Sequence, residues 1–261
     1  MFETLNRRAV LGTVAAAAVA PSFIHARSGV QILRVGDRLA RFDLLKPGVR
    51  TYLRSAQRGD QHLAIDIWRR ETRIETIEGV ERLRIVQRWD GAAQPSVVTE
   101  RDSVLELGTF RPITHRRVTT RDGVSGVEAF RFTDAGVVGL EGVGENARAD
   151  FSQASDEPMF NFETDLEMLQ TLPLEANYAV SIPFYHPGGG APSRYVWQVA
   201  SDDRLRGPDG GEIDCWVVQT DYNAPANPPA RFWLAKSTQQ VIKLEAQAPD
   251  GTIHRKTLLA L

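Results

Sequence analysis

Along most of the chain, apolar and polar residues alternate with a period of two, and Gly, Asp and Pro clusters interrupt the alternation. Residues 49–58 and 61–76 flank Gly59-Asp60, which predicts a hairpin. In the second of these runs Leu63, Ile65 and Ile67 share one face, and His62, Ala64, Asp66 and Trp68 share the other, because successive strand side chains point to opposite sides. Residues 80–89 set Leu83, Ile85 and Trp89 against Arg82, Arg84 and Arg88. Strands are expected at 97–107, 109–120, 127–133 (Phe130 and Phe132 on one face) and 137–143, with turns at 122–126 and 134–136. The stretch 144–158 has no clear period and reads as a loop. Such alternation suits an antiparallel sheet with one face in water.

One segment departs from the pattern. Thr164-Asp165-Leu166-Glu167 matches a capping box, in which Thr and Glu satisfy orphan backbone donors reciprocally. Leu166, Leu169 and Leu172 follow at helical spacing with Met168 beside them, and Pro173 ends the run. A helix of about two turns does not persist alone, so its leucines are expected to pack on the sheet. Further strands are expected at 177–185, 194–200, 212–222, 231–236, 240–247 and 252–258. Residues 187–192 form a Gly-rich loop, and Pro225, Pro228 and Pro229 mark another.

The N-terminus reads as an address rather than as structure. Asn6-Arg7-Arg8-Ala9-Val10-Leu11 precedes an Ala-rich run, with Ala26 at a plausible cleavage point. It resembles a twin-arginine (Tat) export signal, with Arg7 and Arg8 engaging the export machinery; an ordinary Sec signal and an uncleaved anchor are the alternatives. The uncharged run of roughly 16 residues is shorter than the ~20 a spanning helix needs. Residues 1–26 are therefore expected to be a signal peptide and 27–261 a single antiparallel β domain, periplasmic or secreted.

Composition narrows the function classes. Lys and Arg total 31 against 33 Asp and Glu, a net charge of -2, so no broad field gathers nucleic acid or an anionic membrane. The single cysteine, Cys215, forms no intramolecular disulfide and reads as a buried, inert thiol. His62, His115, His186 and His254 are scattered, with neither metal-site spacing nor a cysteine pair, so no metal or cofactor is expected. Ser125 lacks the Gly-x-Ser-x-Gly elbow, and no residue is assigned a catalytic role. Gly188-Gly189-Gly190 reads as a turn. Asp202-Asp203 and Asp209 to Glu212 lack calcium-loop spacing and read as a solvated hairpin. Arg69-Arg70 and Arg116-Arg117 read as solvated strand faces, with an anion-binding stripe as the alternative.

Several stretches resemble a family of uncharacterised exported bacterial proteins related in fold expectation to the LolA/LolB-like lipoprotein carriers. They are Asp102-Ser103-Val104-Leu105-Glu106-Leu107-Gly108-Thr109-Phe110-Arg111-Pro112-Ile113, the Leu-Pro-Leu end of the short helix before Tyr178-Ala179-Val180-Ser181-Ile182-Pro183, Ile213-Asp214-Cys215-Trp216-Val217-Val218, and the run from Ala230 to Lys243. The resemblance implies a mainly β fold: a long, curved antiparallel sheet, a half-barrel or open barrel, packed around one short helix. In the carriers a related concavity holds acyl chains, a ligand that does not transfer with the fold.

Aromatic residues are the remaining signal. Trp68, Trp89, Phe130, Phe132, Tyr195, Trp197, Trp216, Phe232 and Trp233 all fall in expected strands. They either fill the core between helix and sheet or line a cavity there. With Leu166 and Leu169, all of these but Tyr195 are the candidate cavity residues. The leading expectation is a non-catalytic periplasmic protein binding a hydrophobic, acyl-chain-like small molecule or lipid, or an envelope protein partner. The alternatives are a hydrolase acting on an envelope substrate and a structural or assembly factor of the envelope.

Overall fold

The alternating segments become strands of one curved sheet in the computed structural model, which describes residues 29–92, 97–207 and 210–260. The expected export signal, residues 1–26, lies outside the described residues. A first meander comprises β2 (Gly48–Arg58), β3 (Gln61–Ile77), β4 (Val80–Gly91), β5 (Val97–Glu106), β6 (Pro112–Arg121), β7 (Val124–Thr133), β8 (Gly136–Gly139) and β9 (Ser152–Ala154), preceded by the short β1 (Gln31–Ile32). A strap follows, made of β10 (Phe160–Asn161), a 3-10 turn at Phe162–Thr164 and the helix α1 (Asp165–Leu169). The second meander is β11 (Ala179–Tyr185), β12 (Ser193–Arg206), β13 (Glu212–Thr220), β14 (Ala230–Ala235), β15 (Val241–Gln247) and β16 (Ile253–Leu258).

Neighbouring strands in both meanders are antiparallel, and the last strand, β16, lies against β2 with Leu258 opposite Tyr52. The two meanders thus fuse into one 16-stranded sheet. The fold class agrees with the expectation: mainly β, a large open curved sheet and one short helix. Its edges are blunted, as exposed edges invite further pairing. β1 and β10 both lie parallel on the edge of β11, and the other edge ends in β9, only three residues long. There Gly136 and Gly139 admit a close approach of backbone; a Cβ on either would lie 2.1 Å from Gln153 O or 2.2 Å from Arg148 O. Residues of the strap run between the two edges, with Ser155 N donating to Ala135 O at 2.9 Å and Phe160 pairing with Phe184.

The strap enters the concavity and is buried on all sides. Every residue from Thr164 to Leu172 is buried, with Leu166, Met168, Leu169 and Leu172 at most 3% exposed. Two glutamines tie its far end to the β14–β15 turn. Gln170 Nε2 donates to Thr238 O at 2.9 Å, and Gln239 Nε2 donates to Gln170 O at 2.9 Å and Leu172 O at 2.6 Å. These bonds satisfy carbonyls that a helix end otherwise leaves unpaired.

Several local expectations are corrected. The helix spans five residues, and Thr164 at its N-cap makes no side-chain cap. Thr164 Oγ1 donates to Asn161 O at 2.8 Å, Asp165 Oδ1 accepts from Leu166 N at 2.8 Å, and Glu167 is drawn away to an arginine; a buried cation outcompetes the cap for its carboxylate. The stretch 144–158 contains β9. Asp202 and Asp203 lie within β12, because a bulge between Val199 and Ser201 lets that strand bend and continue. The arginine pairs split across the sheet: Arg70 is 1% exposed and points inward, whereas Arg69 is exposed. Leu63, Ile65 and Ile67 form the outer face of β3, 42–43% exposed, and Trp68 the inner one.

Candidate functional site

Strand pairing alone arranges the inner wall of the first meander in rows. One row runs Arg70, Gln87, Arg101, Arg117, Glu128 across β3 to β7, each residue opposite the next. The row beside it runs Tyr52, Trp68, Trp89, Thr99, Thr119. On the other side lie Thr72, Ile85, Ser103, His115 and Phe130. A further row, Leu244, Lys256, Arg54, Asp66, crosses the seam where β15 and β16 meet β2 and β3. Among the described residues, Arg54, Arg70, Arg101, Arg117 and Lys256 lie on this inner wall, and Arg50 stands opposite Arg70 on the same face.

Aromatic rings and strap carboxylates neutralise this wall. Arg54 and Arg101 place their guanidinium carbons 3.8 and 4.0 Å from the ring centre of Trp89, and Arg70 and Lys256 lie 4.4 and 4.3 Å from that of Trp68. Cation–ring contacts strengthen as water is excluded. Arg70 donates to Glu167 through Nε at 2.7 Å and also through Nη2. Burial works against the Arg70 charge, but Glu167 outweighs it and raises its pKa. Gln87 Oε1 accepts from Trp68, Arg70 and Trp89 at 3.2, 3.2 and 3.4 Å. Arg54 binds Asp66 at 2.9 Å, and Arg117 binds Glu128 at 2.5 Å.

Glu163 stands at the centre of the remaining charges. Its Oε2 lies 3.1 Å from Arg101 Nε and its Oε1 3.8 Å from Arg117 Nη1. Burial opposes its charge, yet Arg101, with Arg117 beyond it, holds its carboxyl below the usual range. Burial depresses Arg101, with Arg117, Arg70 and Arg54 adding to the effect. His186 stacks on Phe162 at 3.9 Å, and Phe162 also meets Tyr195 and Tyr222 at 5.5 and 5.7 Å. His186 is exposed, and Trp89, Arg54 and Arg117 are half-buried, so this end of the wall, its mouth, is the part of the filled interior that reaches solvent.

Some groups are strained electrostatically. Burial pulls the His115 imidazole down to about 4, so it is neutral. Its Nδ1 lies 2.9 Å from Ser103 Oγ and 3.3 Å from Asn161 Nδ2. Since the Asn161 amide donates, Nδ1 accepts and Nε2 carries the proton. That Nε2 has no partner, nor does Arg101 Nη1. Burial also pushes Asp165 up to about 6 and Lys256 down to about 8. The Ser103–His115 pair has the contact of a nucleophile and its base, but both residues are 0% exposed and no carboxylate orients the ring. Among the described residues, no group of three or more His, Cys, Asp or Glu is placed to hold a metal ion.

The aromatic candidates do not form one site. Trp68 and Trp89 belong to the cationic wall. Leu166, Leu169, Trp197 and Phe232 join the main core at 0–3% exposure, and Phe130 and Phe132 a smaller cluster with Val137, Met159 and Tyr185. Trp216 is half-buried beneath Lys236 Nζ at 4.1 Å. Trp233 lies on the opposite face with Val217, donating to Asp203 Oδ2 at 2.8 Å. Sequence reasoning passed over Arg54, Gln87, Arg101, Glu163 and Lys256. The available signal was that the segment around the short helix carries three acids, at 163, 165 and 167.

The fold and site define an antiparallel, barrel-like sheet with an internal strap and a cationic, aromatic mouth. The chain belongs to the family described as "Protein of unknown function (DUF3108)", whose model matches residues 61–259. Its fold is similar to a crystal structure from Brucella abortus titled a beta-barrel-like protein of domain of unknown function DUF1849. That likeness has 11% identity and a TM-score of 0.53 and covers 83% of this chain and 97% of the other. A DUF1329 family protein from Desulfovibrio piger aligns over 84% of this chain and 87% of its own at 10% identity, with a TM-score of 0.28. No curated protein matches the sequence.

Proposed function

We propose that this protein is a non-catalytic binding protein of the bacterial cell envelope, and that its half-barrel takes an acidic amphiphile at the mouth. The reading keeps the expected hydrophobic, lipid-like ligand and adds an acidic group to it. One observation carries it: two guanidiniums, Arg54 and Arg101, are held over the ring of half-buried Trp89, which itself packs edge-on against Trp68 at 5.1 Å. Fixed cations next to apolar rings suit a ligand with an acidic head and an apolar body, and concave sites of this kind combine apolar lining with a few placed polar groups. The interior below the mouth is occupied by the strap leucines, so the ligand binds above them.

Native mass spectrometry of the protein, purified without detergent from cells making the full chain, tests the reading. An added mass of a few hundred daltons that extracts into organic solvent and carries a negative charge is expected. If no such adduct is found, and neither dodecanoate nor dodecyl phosphate raises the melting temperature, the reading fails. Envelope location rests on Arg7 and Arg8. Cell fractionation of an Arg7→Lys, Arg8→Lys double variant is expected to find the protein retained in the cytoplasm; unchanged export would remove the twin-arginine route. A protein partner in place of a small molecule would appear instead as a stable crosslink to an envelope protein at Trp89.

A further inference from the structure

The strap is fixed by its backbone, not by the side chain of Glu163. Glu163 O accepts from Arg70 Nη2 at 3.0 Å and from Gln87 Nε2 at 2.6 Å, and Glu163 N donates to Asn161 Oδ1 at 3.0 Å. The carboxylate is left to serve a different purpose. It faces Arg101 and Arg117 at 3.1 and 3.8 Å, and neither contact is a close, paired fork of the kind Arg70 makes with Glu167.

Three buried donors at this place have no hydrogen-bond partner: the Nε2–H of His115, Arg101 Nη1 and Arg101 Nε, which meets Glu163 only as an ion pair. His115 is 0% exposed, and the Arg101 side chain is 10% exposed. The charges that act on His115 are led by Glu163, Arg101 and Arg117. A buried donor without a partner is costly, and native structures rarely keep one without cause. One carboxylate is thus set against more donors than it satisfies. An oxyanion with more acceptor oxygens, or one free to approach both arginines, would satisfy more of them.

We propose that the Glu163 side chain occupies a built-in anion site, and that the acidic group of the ligand, a carboxylate or phosphate monoester, displaces it to bind Arg101 and Arg117. The inference rests on reading the mouth as a binding site and names the group that is recognised there. Nothing covalent changes; one oxyanion replaces another while the strap backbone stays anchored by Arg70, Gln87 and Asn161. The apolar part of the ligand then lies along Phe162 and Trp89, toward solvent at His186. Glu163 lowers affinity by competing, and keeps the arginines paired while the site is unliganded.

Titration calorimetry with the full chain tests this using four probes below their micelle concentrations: dodecanoate, dodecyl phosphate, inorganic phosphate and dodecanol. Glu163→Gln is expected to bind both acidic amphiphiles about tenfold more tightly than the unchanged protein and dodecanol equally. Arg101→Gln is expected to weaken the acidic amphiphiles by about tenfold or more and to abolish their advantage over dodecanol. Glu163→Gln is also expected to melt at a lower temperature, because Arg101 loses its counter-charge, and dodecyl phosphate should restore the loss, since a ligand of the folded state stabilises it. Should that variant fail to fold, Glu163→Asp keeps the charge with a shorter reach and is expected to give a smaller gain in the same direction.

If inorganic phosphate binds as tightly as dodecyl phosphate and responds to both variants alike, the site takes a free oxyanion rather than a lipid head. Equal affinities for Glu163→Gln and the unchanged protein, or a gain shared by dodecanol, would overturn the inference while leaving the mouth a binding site. If none of the four probes binds to any form, the proposed function fails and the inference with it.

Discussion

The two meanders are built alike and lined differently. Both are antiparallel, both are connected by hairpins, and both curve around the same strap. The second presents Ile182, Phe184, Trp197, Val218, Phe232 and Leu234 as its inner wall, all at most 1% exposed. The first sets Arg54, Arg70, Gln87, Arg101, His115 and Arg117 among Trp68, Leu83, Ile85 and Leu105, which are buried like the second wall. The change occurs within one row at the seam, between Leu244 on β15 and Lys256 on β16. What differs is what the strap offers: leucines at 166, 169 and 172 join the apolar core, while carboxylates at 163 and 167 meet the arginines. A buried arginine such as Arg70 is tolerable only with its counter-charge in place, so this wall could take charges because the strap brought carboxylates to it.

Breaking the charged side should have the largest effect. Glu167→Gln leaves Arg70 buried without its carboxylate, and a loss of about 3–5 kcal/mol is expected in urea unfolding. Replacing both partners, Arg70→Met with Glu167→Leu, should recover most of that loss, since an apolar pair carries no desolvation cost. If the double variant is as unstable as the single one, the pair is not the unit that joins strap to wall. On the apolar side Leu169→Ala should cost about 2–5 kcal/mol through lost burial and the cavity left behind. A value under 1 kcal/mol would mean that the strap is held by its charges alone.

The seam offers a pH test. Asp165 titrates near 6 in the folded protein because it is buried, against about 3.9 when unfolded. Between those values the folded form holds the extra proton, so this group lowers stability as pH rises through the window. Asp165→Asn should therefore match the unchanged protein near pH 4 and exceed it above pH 6, by on the order of 3 kcal/mol. His115 acts with the opposite sign. Its folded value of about 4 lies below the unfolded ~6.5, so its contribution is complete above about pH 6.5 and is lost as pH falls to 4. The two slopes offset each other between pH 4 and 6, and Asp165→Asn should expose the His115 slope as a steeper acid decline. A thermal melt series in which both proteins run parallel across pH 4 to 7 would refute the assignment.

The smallest effect is expected outside. Ile65→Ser on the exposed face of β3 should change stability by less than about 0.5 kcal/mol. A larger loss would show that the outer wall of this meander is covered.

Much of the strand pattern was legible because alternation reports a half-buried sheet directly. The hairpin at Gly59-Asp60 and the inward set Leu83, Ile85 and Trp89 needed nothing beyond period two. The same rule misled where its premise failed. Leu63, Ile65 and Ile67 offer a clean apolar face that points to water, since the opposite parity holds Trp68 and Arg70. The capping-box pattern at 164–167 was present, but its glutamate found a buried arginine 97 positions earlier in the chain. The arginine pairs could not be divided into inner and outer members without knowing which parity faces the strap. Of the aromatic candidates, Trp89 alone is half-buried at the cationic end of the wall, Trp68 lies buried beside it, and the others were absorbed by packing or by the outer face.

The sequence by itself determined the local alphabet: strands, turns, a strap of leucines and acids, and the absence of metal or nucleophile spacing. Those properties follow from φ/ψ preference, side-chain parity and residue chemistry within a few neighbours. Only the tertiary structure decided that Arg70, Arg101 and Arg117 share one row, that the strap carboxylates lie among them, and that Arg54 and Arg101 clasp Trp89. Register and burial make those decisions, and both depend on pairing between residues distant in the chain, where the cost of leaving a charge uncompensated selects the partner.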